Sequence, residues 1–258
     1  MVFPNFRDKH SEDSVLSPEG NMAYRKKRGR HPRVKPPVGA VFCYQSSLMN
    51  HILGNHEATS LAHFMGEVHL LKETGNSVAV AGRFGAGAPA AVLLLEELIA
   101  FGVRYFVSIG TAGTLQKDVR VGDLVVCDRA IRDEGTSHHY LEHSKYACAS
   151  TEMTGKIVRC LEKLRQKHTV GTSWTIDAPF RETVAEARQY QREGVAAVDM
   201  EASALFAVAQ YRDVEMGAAF VISDSLADLE WRPAFHHKKT ARGLEVLYRV
   251  ALDVLLNG

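Results

Sequence analysis

Four groups of residues have types and spacings suited to chemistry on a polyhydroxylated or anionic ligand. Asp199-Met200-Glu201 sets two acids around a thioether at the end of a short apolar run, 195–198. Ser223-Asp224-Ser225 stands at the end of a second apolar run, 217–222. Two glycine-rich stretches complete the set: Gly82-Arg83-Phe84-Gly85-Ala86-Gly87-Ala88-Pro89 and Gly110-Thr111-Ala112-Gly113-Thr114. A carboxylate accepts several hydrogen bonds in a fixed plane, which suits sugar hydroxyls. Glycines let the backbone approach a ligand closely, and a helix start offers unpaired N–H groups to an anion. Pro89 fits a first helical turn. Each group alone has a plainer reading: Asp199 and Glu201 as helix caps, Asp224 as a turn residue, the glycines as tight turns. Together they outline one site with an acidic clamp and an anion cradle.

The elements that must position these residues follow from the hydrophobic pattern. Apolar runs at 38–44, 103–109, 121–126, 169–176, 195–198 and 217–222 predict strands. Residues 66–71 and 77–81 predict a strand pair joined at Thr74-Gly75-Asn76. Helices are predicted over 48–53, 90–101, 151–167, 183–191, 201–211 and 236–256. This alternation predicts an α/β fold: a single domain with a mixed central β-sheet flanked by helices on both faces. In such sheets ligands bind outside the carboxyl ends of strands. Both acidic groups and Gly110-Thr111 fall at such ends. His138, His139 and His143 lie in a polar loop with no Cys or acid at ligand spacing, so no metal is expected.

The formal net charge is +1, which gives no whole-protein field toward nucleic acid or a membrane. Cys43, Cys127, Cys148 and Cys160 form no C-x-x-C pair, as expected for free thiols in a reducing compartment. No signal-peptide core and no spanning apolar stretch is found, so a cytoplasmic protein is expected. Residues 1–37 are polar, and basic from Arg25 to Lys35. They are read as a solvated extension that packs on the body or on a neighbouring subunit, with residues 38–258 as the catalytic domain.

Val-Asp-Met-Glu-Ala-Ser-Ala-Leu-Phe at 198–206 and Val-Ile-Ser-Asp-Ser-Leu-Ala-Asp at 221–228 resemble the nucleoside phosphorylase and nucleosidase superfamily, in its uridine and hexameric purine phosphorylase branch. The resemblance runs from about residue 38 to the C-terminus. It implies that Glu201 accepts from ribose hydroxyls and that Met200 packs on the sugar face. Asp199 would reach the 5′ side or only cap the helix. It implies that Asp224 protonates the leaving base, with Ser223 beside it. Phe180 would stack on the base and Arg181 reach a base carbonyl. Gly110 and Thr111 would contact phosphate and sugar. The Asp at 224, and a base loop without a Gln–Arg pair, point to purines over uridine.

Two departures bear on the acceptor. The family's Gly-Asp-Pro-x-Arg phosphate loop is replaced by Cys43-Tyr44-Gln45-Ser46-Ser47, and a second phosphate arginine by Ser108. Gly82-Arg83-Phe84 is similar to a segment of the trimeric purine phosphorylases whose Arg binds phosphate. Arg83 is therefore expected to supply the cation. The reaction implied is phosphorolysis of a nucleoside to free base and ribose 1-phosphate, with inorganic phosphate as co-substrate and no cofactor. The hydrolytic branch also lacks the arginines, but the Glu it uses to activate water is not found between 38 and 53. A non-catalytic nucleoside-binding relative is the third alternative. The family's assemblies imply a homo-oligomer, a dimer or a trimer of dimers, in which Arg30, His31 and Arg33 are candidates to complete a neighbour's site.

Overall fold

The structure is a computed structural model and describes residues 3–6 and 9–257. Its strands are β1 Gly39–Cys43, β2 Ala58–Leu61, β3 Glu67–Leu71, β4 Val78–Gly82, β5 Tyr105–Thr114, β6 Leu124–Asp133, β7 Tyr146–Cys148, β8 His168–Ile176, β9 Ala197–Asp199, β10 Glu215–Ser225 and β11 Arg232–Pro233. Its helices are α1 Pro18–Lys27, α2 Ser46–Asn55, α3 Ala88–Phe101, α4 Thr151–Lys163, α5 Val184–Arg192, α6 Ala202–Arg212 and α7 Lys238–Leu256.

β1 and β4 are buried at every position, so both faces of the sheet must be covered. One face carries α3 and α6, whose Ala- and Leu-rich surfaces form a core with Phe42, Phe106 and Phe220. α2, α4 and α7 cover the other, around Val41, Val107, Val126 and Val221. The strands form one mixed sheet in the order β11-β10-β6-β8-β9-β5-β1-β4-β3-β2, with β7 on the edge of β6. β10 also pairs with β5, so β5, β10, β6, β8 and β9 close into a ring. The sequence pattern predicts the mixed, two-sided sheet; the ring closure is a feature it does not carry.

Two predicted turns are strand instead. β5 runs through Gly110-Thr111-Ala112-Gly113-Thr114, and β10 runs through Ser223-Asp224-Ser225. The two polar ends pair with each other, Gly113 opposite Asp224 and Thr114 opposite Ser225. Gly113 permits this pairing, because a Cβ there would lie 2.9 Å from Val198 Cγ1 and 3.0 Å from Asp224 Oδ2. The register slips between Ile222 and Asp224, which makes Ser223 the extra residue of a bulge. A bulge re-aims the side chain after it.

The basic extension is partly helical. Ser17 caps α1 by accepting from Gly20 N–H, and Pro18 opens the helix. Arg25 ties α1 to the body, donating to Glu97 Oε1 and to the His63 carbonyl, each at 2.5 Å. Among the described residues no helix is long and apolar enough to cross a membrane.

α7 lies tight on the sheet at Gly243. A Cβ at this position would sit 2.4 Å from Val221 Cγ2. Gly243→Ala is expected to destabilise the fold by about 1–3 kcal/mol through overpacking. A denaturant titration checks this, as a lower midpoint with an unchanged slope.

Candidate active site

The carboxyl ends of β1, β5, β9 and β10 surround a cavity of about 610 Å³. Gly110, Thr111, Met200, Glu201, Ser223 and Asp224 all line it, and Asp199 and Phe180 do so too. The two distant acidic groups therefore meet over one space.

Glu201 sits where the chain leaves β9 and enters α6. Its Oε1 accepts from the backbone N–H of Gly87, at the start of α3, at 2.6 Å. Burial, and then the nearby charge of Asp199, push its carboxyl up to about 8. Met200 lies beside it on the cavity wall. Asp199 has another task. Its Oδ1 accepts from Ser173 Oγ at 2.7 Å and Thr175 Oγ1 at 2.8 Å. Its Oδ2 accepts from the N–H groups of Glu201 and Ala202 at 2.8 and 2.6 Å. Of its two expected roles the structure assigns the cap: four donors from the scaffold occupy its oxygens, which leaves no lone pair for a 5′ hydroxyl.

Asp224, 8% exposed, lines the same cavity. Ser223 Oγ donates to its Oδ1 at 2.7 Å, and Trp231 Nε1 donates to its Oδ2 at 3.0 Å. The Ser223 hydroxyl is thus spent on orienting Asp224 rather than on a base. An indole N–H only donates, so Oδ2 is fixed as an acceptor. Trp231 and Phe235 form a tilted pair at 6.0 Å on the cavity wall.

The base loop departs from expectation in two residues. Phe180 lines the mouth of the cavity and is 99% exposed, an aromatic face without a protein partner among the described rings. Arg181 is exposed and does not line the cavity, because the short helical turn Pro179–Arg181 turns it outward. Glu182, the next residue, lines the cavity instead. Thr183 then caps α5 in a capping box with Glu186.

Tyr44, Gln45 and Thr111 form an uncharged stretch of the cavity wall. Tyr44 fills the space beneath Gly110 and its hydroxyl lies 3.1 Å from Ser108 Oγ. Burial raises the Tyr44 phenol well above its ordinary range, so it stays uncharged. Gln45 Nε2 donates to Thr111 Oγ1 at 2.9 Å, and Gln45 Oε1 is buried without a partner. Arg83 does not reach this place. Its guanidinium donates to Glu67 Oε2 and to Asn50 Oδ1, each at 2.5 Å, outside the cavity. The left-handed backbone at Arg83, φ 53°, turns the side chain toward β3 and α2. Among the described residues no Lys, Arg or His lines the cavity, whereas Asp199, Glu201, Glu182, Asp224 and Glu230 do. Arg30, His31 and Arg33 lie outside it as well.

The cavity thus lies at the strand ends of an α/β sheet and is lined by five carboxyl groups. Residues 51–256 match the model of the phosphorylase superfamily, and the chain belongs to that family. It is 32% identical to a guanosine phosphorylase of Halorubrum lacusprofundi over 142 residues, 55% of this chain and 59% of that one. It is 29% identical to a DeoD-type purine nucleoside phosphorylase of Caldanaerobacter subterraneus subsp. tengcongensis over 182 residues, 70% of this chain and 77% of the relative. The uridine phosphorylase of Vibrio fischeri ES114 superposes with a TM-score of 0.72 at 23% identity, over 88% of this chain and 94% of that structure, and shows the shared fold. Purine and uridine phosphorylases both stand among its relatives.

Proposed function

We propose that this chain cleaves the N-glycosidic bond of purine nucleosides, with inorganic phosphate as acceptor, to give free base and ribose 1-phosphate. The observation that carries the reading is that two acids from distant segments line one cavity, Glu201 beside Met200 and Asp224 beside Trp231. Glu201 accepts from the ribose hydroxyls, and its charge favours the positive sugar that forms as the bond breaks. The base lies between Phe180 and Trp231, whose exposed rings suit a flat heterocycle. Asp224 faces the nitrogen-bearing edge of the base. Thr111 and Gly110 border the acceptor position.

Phosphate is a dianion and calls for cationic donors. In this reading a neighbouring copy supplies them, and the basic stretch with Arg30, His31 and Arg33 is the candidate. A hydrolytic reading rests on one observation: the unpartnered Gln45 Oε1, beside Thr111, can accept from a water.

Base release from inosine, adenosine, guanosine and uridine, each with and without phosphate, tests these readings. Purine release that requires phosphate is expected. Turnover of uridine alone overturns the purine assignment. Release indifferent to phosphate moves the acceptor to water.

A further inference from the structure

The site holds one acid that the family resemblance does not point to. Glu182 lines the cavity and is only partly exposed. Among the described residues no hydrogen bond or ion pair reaches its carboxyl. Other carboxyls of the site are tied: Asp199 by four donors, Asp224 by Ser223 and Trp231, Glu201 by Gly87. The backbone explains why Glu182 enters the cavity. The turn Pro179–Arg181 ends at Glu182, and the capping box pins Thr183 directly after it.

We infer that Glu182, whose carboxyl lines the cavity without a protein partner, is the general acid that protonates the leaving purine, and that Asp224, held by Ser223 and Trp231, is a positioning residue beside it. The inference rests on the reading of the cavity as a purine nucleoside site. The proton moves from the Glu182 carboxyl to N7 of the base. The C1′–N9 bond breaks and its electron pair goes to the base. A phosphate oxygen bonds C1′, and the proton that phosphate gives up restores the Glu182 carboxyl through solvent. Atoms and charge balance as nucleoside plus hydrogen phosphate dianion giving neutral base plus ribose 1-phosphate dianion.

The electrostatics agree with the geometry. Burial, then the charge of Asp224 from β10, then that of Glu186 from α5, push Glu182 up to about 7. The other titratable groups that line the cavity are Glu230 after β10, Asp199 and Glu201 around the start of α6, and Tyr44 after β1. Among the described residues no cation lines the cavity: Arg232 pairs with Asp228 and, from outside the lining, with Glu230, and Arg181 is exposed. A carboxyl that is protonated in the neutral range and free of protein donors can give its proton to a ligand. The rest of the loop is spent on capping and on Asp177, whose Oδ2 accepts from Gly135 N–H.

The test compares Glu182→Gln with wild type on two substrates at saturating phosphate. One is the purine nucleoside that turns over best. The other is 7-methylguanosine, whose leaving base already carries positive charge and needs no proton. Glu182→Gln is expected to lose at least about 10²-fold in kcat on the first and to stay within about threefold on the second. Wild-type kcat/KM falls on the alkaline side as Glu182 gives up its proton, and the variant should lack that fall. Glu182→Asp should restore part of the rate together with the fall. Equal losses on both substrates, or a retained alkaline fall in Glu182→Gln, overturn the inference. A wild-type protein that releases base from neither substrate overturns the purine nucleoside reading itself.

Discussion

Glu201→Gln is expected to lower kcat/KM for a ribonucleoside by about 10²–10³-fold, from two charge-assisted hydrogen bonds worth about 3–4 kcal/mol together. Gln retains the shape and can still accept from Gly87 N–H, so the fold should hold. What it lacks is the charge and the second acceptor oxygen. The loss should shrink on the 2′-deoxynucleoside, which brings one hydroxyl fewer to the same carboxylate. An equal loss on both substrates would move Glu201 from the sugar to some other role. The same residue gives a pH dependence. Burial holds the free carboxyl at about 8, so in neutral solution it is largely protonated. Sugar hydroxyls donate more strongly to its charged form and therefore pull it down. Binding should release a proton below pH 8, and KM should rise as pH falls. Calorimetry in buffers of different ionisation enthalpy measures that proton directly.

The pattern of strands and helices was legible because buried strands and Ala- and Leu-rich helices have distinct periods. Glu201, Met200 and Asp224 were legible because each ends an apolar run, which is where an α/β sheet exposes side chains to a ligand. The misplacements have physical causes. Gly110-Thr111-Ala112-Gly113-Thr114 and Ser223-Asp224-Ser225 have turn-like composition, yet each is the other's pairing partner, and pairing between distant segments leaves no local trace. Arg83 looked like a phosphate ligand from its motif, but Glu67 and Asn50, far away in sequence, hold it. α1 could have been found from Ser17-Pro18-Glu19, a helix-start signal overshadowed by the surrounding positive charge. Glu182 was unreadable for the opposite reason. A Glu before a capping Thr is ordinary helix-entry sequence, and only the folded loop shows that its carboxyl has no partner. Ser108, at the position the resemblance gives to a phosphate arginine, lies instead against the Tyr44 hydroxyl, a neutral pair.

Asp224→Asn is expected to lower kcat/KM about 10³-fold by two routes that can be separated. The first is geometric. Asp224 accepts from Ser223 on one oxygen and from Trp231 on the other. Asn offers one oxygen and an NH₂ group, so with the oxygen toward Trp231 the NH₂ must donate to Ser223 Oγ, whose own proton turns to the Ala112 carbonyl. The rearrangement and the loss of a charged acceptor loosen Trp231, which is 61% exposed and has this bond as its polar tether to β10. A change in Trp231 fluorescence, with Trp174 as the invariant buried reference, reports that loosening. The second route is electrostatic. Removing the charge of Asp224 removes one of the charges that raise Glu182, so the Glu182 carboxyl should ionise at lower pH. A raised carboxyl that is lowered again loses its proton earlier, so the alkaline fall in kcat/KM should move toward acid. Asp224→Glu keeps the charge but not the reach, and should leave that fall near its wild-type position while still losing rate. If Asp224→Asn moves the fluorescence and the rate but not the fall, Asp224 acts on the cavity wall alone and not on the proton at Glu182.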